Sequence, residues 1–385
     1  MHYFTYKNGQ LYAEDVPVAD LAAEHGTPLY IYSASTLKRH LNAFDSAFQG
    51  IDHMTCYSVK ANSNLSVLKI LAQAGAGTDI VSGGELFRAL RAGVDPKKIV
   101  YSGVGKKTVE IQEALLADIL LFNVESIQEL QRINSVAGDL HKVARISLRI
   151  NPDVDPKTHP YISTGLKENK FGLSRAEALE AYTLAKSLPN VDPVGMDCHI
   201  GSQLTKLSPF LEALDKLKIF YAQLRERDIA IKYLDLGGGL GITYNEEEPP
   251  HPDELGQALT ESLKDLDMTL ILEPGRVIAG NTGILVTQVQ YLKKNEDKLF
   301  VIVDAAMNDL VRPSLYGSYH RIAPVREGST GEMTVDIVGP ICESGDFLAK
   351  NRTIPRVDQG DLLAAFSAGA YGFVMSSQYN SRPRA

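Results

Sequence analysis

The sequence predicts an α/β fold: a (β/α)8 TIM barrel with a C-terminal antiparallel β domain that the N-terminal segment joins. Three observations lead there. Between about residues 53 and 277, eight short β-rich runs alternate with amphipathic helical runs, as expected of repeated βα units around a parallel sheet. Eight such units close most simply into a barrel, with an open doubly wound sheet as the alternative. After Arg276 the texture changes to β-branched and aromatic runs separated by polar or glycine turns, which reads as antiparallel sheet.

Taken in order, residues 3–6 and 29–32 are short strands expected to join the sheet of the β domain. The barrel strands are 55–59, 78–81, 99–102, 119–124, 144–150, 195–200, 233–236 and 269–272. Helical segments such as 65–74, 84–92 and 126–136 lie between them, with apolar residues at helical spacing. The later strands are 283–293, 299–304, 333–338 and 361–366. The expected division is a barrel over 33–277 and a β domain made of 1–32 and 278–385.

A chain of 385 residues exceeds one ordinary core, in keeping with two domains. Its formal net charge of -8 argues against a nucleic-acid partner and for a small substrate. The three cysteines, Cys56, Cys198 and Cys342, are too few and too scattered for a disulfide framework or a zinc site. The N-terminus lacks a basic region followed by an apolar core, and no stretch approaches the roughly 18 apolar residues of a membrane span. A soluble cytoplasmic protein without membrane or metal partners is expected.

In a barrel, chemistry sits at the C-terminal ends of the strands. Five of the eight strand ends carry reactive or glycine-rich sequence. Lys60 ends the first strand, where partial desolvation of its amine suits Schiff-base formation; taken alone it reads as a snorkelling surface lysine. Ser82, Gly83, Gly84 and Glu85 follow the second strand, and His199 closes the sixth. Gly237, Gly238 and Gly239 follow the seventh, either as amides open to a phosphate or as a tight loop. Glu273, Pro274, Gly275 and Arg276 follow the eighth, and the last two strands of a barrel commonly hold phosphate. Glu273 would repel a phosphate, but it suits a protonated ring nitrogen of the same ligand. His199 reads either as a core histidine or as a plate stacked on that ring.

These residues carry a family resemblance. The YSVKAN run at 57–62, HIGSQ at 199–203, GGG at 237–239 and EPGR at 273–276 resemble the barrel motifs of the fold-type III pyridoxal-phosphate decarboxylases. RPSLYGSYH at 312–320, GPICESGDFLAK at 339–350 and STGLKENKFG at 163–172 are similar to the diaminopimelate decarboxylase branch. The likeness spans nearly the whole chain. It departs at the end, since family members continue for another strand or so past Ala385, so the last sheet is expected to be incomplete.

The resemblance implies pyridoxal 5′-phosphate held on Lys60 and decarboxylation of meso-2,6-diaminopimelate to L-lysine. His199 would stack on the ring and Glu273 would face its nitrogen. Gly201, Ser202, Gly237, Gly238, Gly239, Gly275 and Arg276 would hold the phosphate, and Tyr371 would touch both phosphate and substrate. Arg276, Arg312 and Tyr316 would bind the distal carboxylate of the substrate, Glu343 its distal ammonium, and Cys342 would supply a proton. Cys342 and Glu343 would enter from a second subunit, which implies a homodimer with shared sites. The loop at 163–172 would suit a lid. Other readings are a decarboxylase of another basic amino acid or of carboxynorspermidine, a non-enzymatic cofactor carrier, and a racemase. The paired arginines weigh against the first, the β domain against the second, and the lack of a second-base motif against the third.

Overall fold

The computed structural model describes residues 2–155, 169–264, 266–328 and 330–385; most of the 163–172 loop lies outside the described residues. The chain divides into two compact units, one of Met1–Arg39, Thr243–Glu247 and Arg276–Ala385, the other of His40–Ile242 and Glu248–Gly275. The expected boundaries at 33 and 277 differ from these by a few residues. The segment Thr243–Glu247 was unexpected, because it lies between two barrel strands in sequence yet groups with the β unit. It is a self-closed turn, with the Glu247 carboxylate accepting from the amides of Tyr244 (2.9 Å) and Asn245 (2.7 Å).

At the N-terminus of the first unit, Phe4–Lys7 (β1), Gln10–Ala13 (β2) and Val16–Pro17 (β3) form a separate three-stranded antiparallel sheet. Only Leu29–Tyr32 (β4) pairs with the large sheet, so the expectation that 3–6 would join it is corrected. The cause is local: Asn8 and Gly9 have φ of 52° and 73°, the two-residue turn that folds β1 straight back on β2.

The second unit is a closed parallel barrel whose eight strands are the eight expected ones. They are His53–Ser58 (β5), Gly77–Ile80 (β6), Ile99–Tyr101 (β7), Leu121–Val124 (β8), Ala144–Arg149 (β9), Val191–Asp197 (β10), Tyr233–Asp235 (β11) and Thr269–Leu272 (β12). Cys56, Val100, Leu121 and Ile271 pack together in one of its cores. Serines cap three of the helices, two of which start close behind their strands. Ser82, Ser126 and Ser174 accept from the amides of Glu85, Glu129 and Glu177 at 3.2, 3.2 and 3.3 Å. Each glutamate carboxylate in turn accepts from an amide at the start of its helix, on Val81, Glu125 and Ser174.

Two strand ends moved. Lys60 lies past β5, in the single 3-10 turn Val59–Ala61. His199 lies two residues beyond β10, which starts at Val191 and slips register between Pro193 and Gly195. Pro193 interrupts the strand pattern and hid its first half.

The rest of the first unit is built on the long strand Gly283–Asn295 (β13), with Lys298–Val303 (β14), Ile322–Pro324 (β15), Glu332–Val338 (β16), Phe347–Pro355 (β17) and Leu362–Ala365 (β18). The sheet order is β15-β18-β13-β14-β16-β17, with β4 also on β13. The antiparallel expectation holds except for β14 and β16, which pair in parallel. β17 was legible only as a motif, because Asn351 takes a φ of 48° and its amide turns to the Asp336 carboxylate (2.8 Å), breaking the alternation mid-strand. Leu285, Val301, Val303, Ile337, Leu348 and Leu363 pack in its core.

Candidate active site

At the C-terminal end of the barrel, the Lys60 amine sits 2.8 Å from an Asp79 carboxylate oxygen. Asp79 is fully buried and also accepts from the Ser58 hydroxyl at 3.0 Å. The sequence suggested desolvation acting on the amine; the structure adds a carboxylate partner. Asp79 had a signal of its own, a charged residue inside a short parallel barrel strand.

Glu273 follows β12 and is 5% exposed. It accepts from two neutral donors, the Ser102 hydroxyl (3.2 Å) and the Asn123 amide (3.4 Å). Burial, and next the charge of Asp79, push its carboxyl up to about 7, which Lys60, a hydrogen bond with Asp235 and then Arg149 offset only in part. Asp197 and Asp235, also buried, are raised well above the ordinary carboxylate value, again chiefly by burial. Asn123 donates to Asp235 at 3.0 Å as well, so one amide bridges two acids. Asp79, Asp197, Asp235 and Asn123 were not singled out from sequence.

His199 is a half-buried ring whose Nδ1 accepts from the Gly238 amide at 3.2 Å. Burial first, then Arg149 and Lys60, hold it well below the usual histidine value, so it is a neutral plate. Arg149 fastens the same loop: it donates to the His199 carbonyl (3.4 Å), pairs with Glu125 (2.8 Å) and lies 4.8 Å over the Phe171 ring. The second oxygen of Glu125 accepts from the Gly172 amide at 2.7 Å.

The three glycines are where expected, but their main reason is close approach. A Cβ on Gly237 (φ +64°) would lie 2.5 Å from His199 Nδ1; on Gly238, 2.1 Å from the Glu273 carbonyl; on Gly239 (φ +119°), 2.5 Å from the Gly201 carbonyl. The Gly237 amide is taken by Asp235 (2.8 Å) and that of Gly238 by His199. Two of the three amides expected to be open to a phosphate, those of Gly237 and Gly238, are therefore engaged within the barrel. Gly201 and Gly275 are buried and Ser202 half-buried in the neighbouring loops.

The first unit gathers a second group around Tyr244. Arg276 opens the helix Arg276–Ala279, and Arg312 and Tyr316 lie on the helix Arg312–Tyr316. Both guanidiniums are buried; that of Arg312 lies 4.5 Å and that of Arg276 5.8 Å from the Tyr244 ring centre. Arg276 donates to the Tyr244 hydroxyl at 3.2 Å and covers the Tyr371 ring at 5.1 Å. Tyr371 itself takes a φ of 56°. Tyr244 and His320 were missed, Tyr244 because only the fold brings its segment into this unit.

Cys342 and Glu343 occupy an exposed turn whose core is Asp346, which accepts from the amides of Met307 and Ile341, each at 2.7 Å. The Cys342 amide donates to Asn380 (3.0 Å), and Glu343 bonds the Tyr379 hydroxyl.

Comparison with known proteins identifies the family. The pyridoxal-binding domain of the pyridoxal-dependent decarboxylases matches residues 34–280. A diaminopimelate decarboxylase of Haemophilus influenzae is 56% identical over 386 residues, covering 100% of this chain and 93% of the relative. The chain belongs to the diaminopimelate decarboxylase family. The Aquifex aeolicus member is 52% identical over 384 residues, with 100% and 91% covered. The crystal structure of the Helicobacter pylori diaminopimelate decarboxylase complexed with L-lysine matches with a TM-score of 0.92 at 47% identity, over 95% of this chain and 92% of that one.

The cofactor of this family member is pyridoxal 5′-phosphate, and the barrel residues fit it. Glu273 is a buried acid whose raised value marks a place that lacks positive charge, which a ring N–H would supply. The neutral His199 suits an aromatic face, and Lys60 offers the amine that carbonyl chemistry needs. Among the described residues no helix is long and apolar enough to cross a membrane.

Proposed function

We propose that this chain decarboxylates meso-2,6-diaminopimelate to L-lysine and carbon dioxide, the last step of bacterial-type lysine biosynthesis, as a cytoplasmic homodimer. The observation that carries this reading is the pair of buried guanidiniums, Arg276 and Arg312, converging on Tyr244. Guanidinium forks suit a substrate with a distal carboxylate, whereas the distal amine of a diamine-forming substrate such as ornithine would be repelled.

Pyridoxal phosphate, when bound, supplies a ring that accepts the electron pair released as carbon dioxide leaves. Lys60 is the covalent anchor, oriented through Asp79. Glu273 in its charged form pairs with the ring nitrogen, and His199 supports the ring face. Gly201, Ser202, Gly239, Gly275, Arg276 and Tyr371 take the phosphate, while Gly237 and Gly238 let the surrounding loops close. Arg312, Tyr316 and Arg276 bind the distal carboxylate and Glu343 the distal ammonium. Cys342 returns a proton to the reacting carbon. Cys342 and Glu343 serve the site of a partner subunit, which fits their exposure within one chain.

The test is carbon dioxide release by the cofactor-loaded protein from meso-diaminopimelate and from ornithine, with sedimentation alongside. Release from diaminopimelate by a dimer is expected. Greater release from ornithine would overturn the substrate, and a fully active monomer would overturn the shared site.

A further inference from the structure

We propose that His320 is the positioning residue of Arg312: its lone-pair nitrogen aims the guanidinium without neutralising it, leaving the full charge for a substrate carboxylate. The inference rests on the assignment of Arg312 to the distal carboxylate.

The direction of the bond follows from simple chemistry. His320 is 1% exposed, and its Nδ1 lies 2.9 Å from the Phe366 carbonyl oxygen. A carbonyl can only accept, so Nδ1 carries the hydrogen. Its Nε2 lies 3.1 Å from Arg312 Nη1, and a guanidinium can only donate. Nε2 must therefore present its lone pair, and the imidazole is neutral. Burial first, and then the Arg312 charge, press it towards that state, to about 3. A protonated ring would set N–H against N–H in a dry place.

The neighbours repeat the pattern. Tyr244 meets Arg312 with its ring face at 4.5 Å, and stands edge-on to His320 at 5.6 Å and 75°. The same tyrosine's hydroxyl accepts from Arg276 at 3.2 Å. Imidazole, phenol and aromatic face are all uncharged. A carboxylate in place of His320 would hold Arg312 as firmly, but would cancel its charge before any substrate arrived. Desolvation by burial makes the guanidinium costlier to keep charged, so an incoming carboxylate gains more from it here than it would in water.

The experiment compares the cofactor-loaded wild type with His320→Gln, His320→Glu and His320→Leu, recording kcat and KM for meso-diaminopimelate and melting temperature. Gln is neutral, can accept from Arg312 and can donate to the Phe366 carbonyl, so its KM stays within about threefold of wild type. Glu still orients Arg312 but neutralises it, and KM rises at least about tenfold with kcat within about threefold. Leu leaves the guanidinium unaimed and raises KM similarly. Should Leu fail to fold, the contrast between Gln and Glu decides. L-Lysine keeps the distal carboxylate after the other has left, so its inhibition constant rises with KM, while that of 1,5-diaminopentane, which has neither carboxylate, does not. An unchanged KM in the Glu variant, or a fall in kcat and melting temperature with KM constant, overturns the proposal and assigns His320 to packing alone. A wild type inert towards diaminopimelate overturns the substrate reading, and this inference with it.

Discussion

Replacing Glu273 by glutamine is expected to have opposite effects on the empty and the loaded barrel. In the folded protein this carboxyl is pushed from 4.5 up to about 7 by burial and by Asp79. A group whose folded value is raised binds protons more tightly when folded than when unfolded, so its contribution to stability is lost as pH rises between those two values. At about 1.4 kcal/mol per pH unit the loss reaches roughly 3 kcal/mol by pH 8 for a side chain that is 5% exposed. Glutamine keeps the oxygen that accepts from Ser102 and Asn123 and does not titrate. Cofactor-stripped Glu273→Gln protein should therefore gain on wild type by most of that amount between pH 5 and pH 8. The assay is denaturant unfolding of both proteins across this range. With pyridoxal phosphate bound the order reverses, because wild type then has a ring N–H to pair with and the variant has not. The cofactor should dissociate at least about tenfold more readily from the variant at pH 8, as read by its absorbance on dilution. A stability difference that stays flat from pH 5 to pH 8 would refute the reasoning, since the buried acid would then not be short of positive charge.

Lys60→Ala should abolish covalent attachment of the cofactor, shift its absorbance to that of the free aldehyde, and cut carbon dioxide release by at least about a thousandfold. Gly238→Ala puts a methyl group 2.1 Å from the Glu273 carbonyl oxygen, and should destabilise the barrel by about 3 kcal/mol in denaturant unfolding, with disturbed cofactor binding. Cys342 is exposed, so Cys342→Ala should leave the melting temperature of the isolated chain unchanged while slowing lysine formation; an unaltered rate would remove it from proton transfer.

Much of the fold was legible because it rests on local repetition. Eight βα units announce themselves through period and spacing, and the strand ends then mark the chemistry without any knowledge of contacts. Lys60, His199, Glu273 and the glycines were singled out this way. Errors fell where a single residue outweighed the pattern: Pro193 hid the start of β10, the Asn8 and Gly9 turn kept β1 off the large sheet, and Asn351 broke β17.

By itself, the sequence determined the barrel, its reactive strand ends and, through motifs, the family. Only the tertiary structure decided what those residues meet. It put Asp79 beside Lys60, and spent the Gly237 and Gly238 amides on Asp235 and His199. It also drew Tyr244 out from between two barrel strands to stand against Arg276 and Arg312. Periodicity is a property of neighbours along the chain, whereas proton affinity and hydrogen-bond direction depend on groups that meet only after folding has excluded water around them.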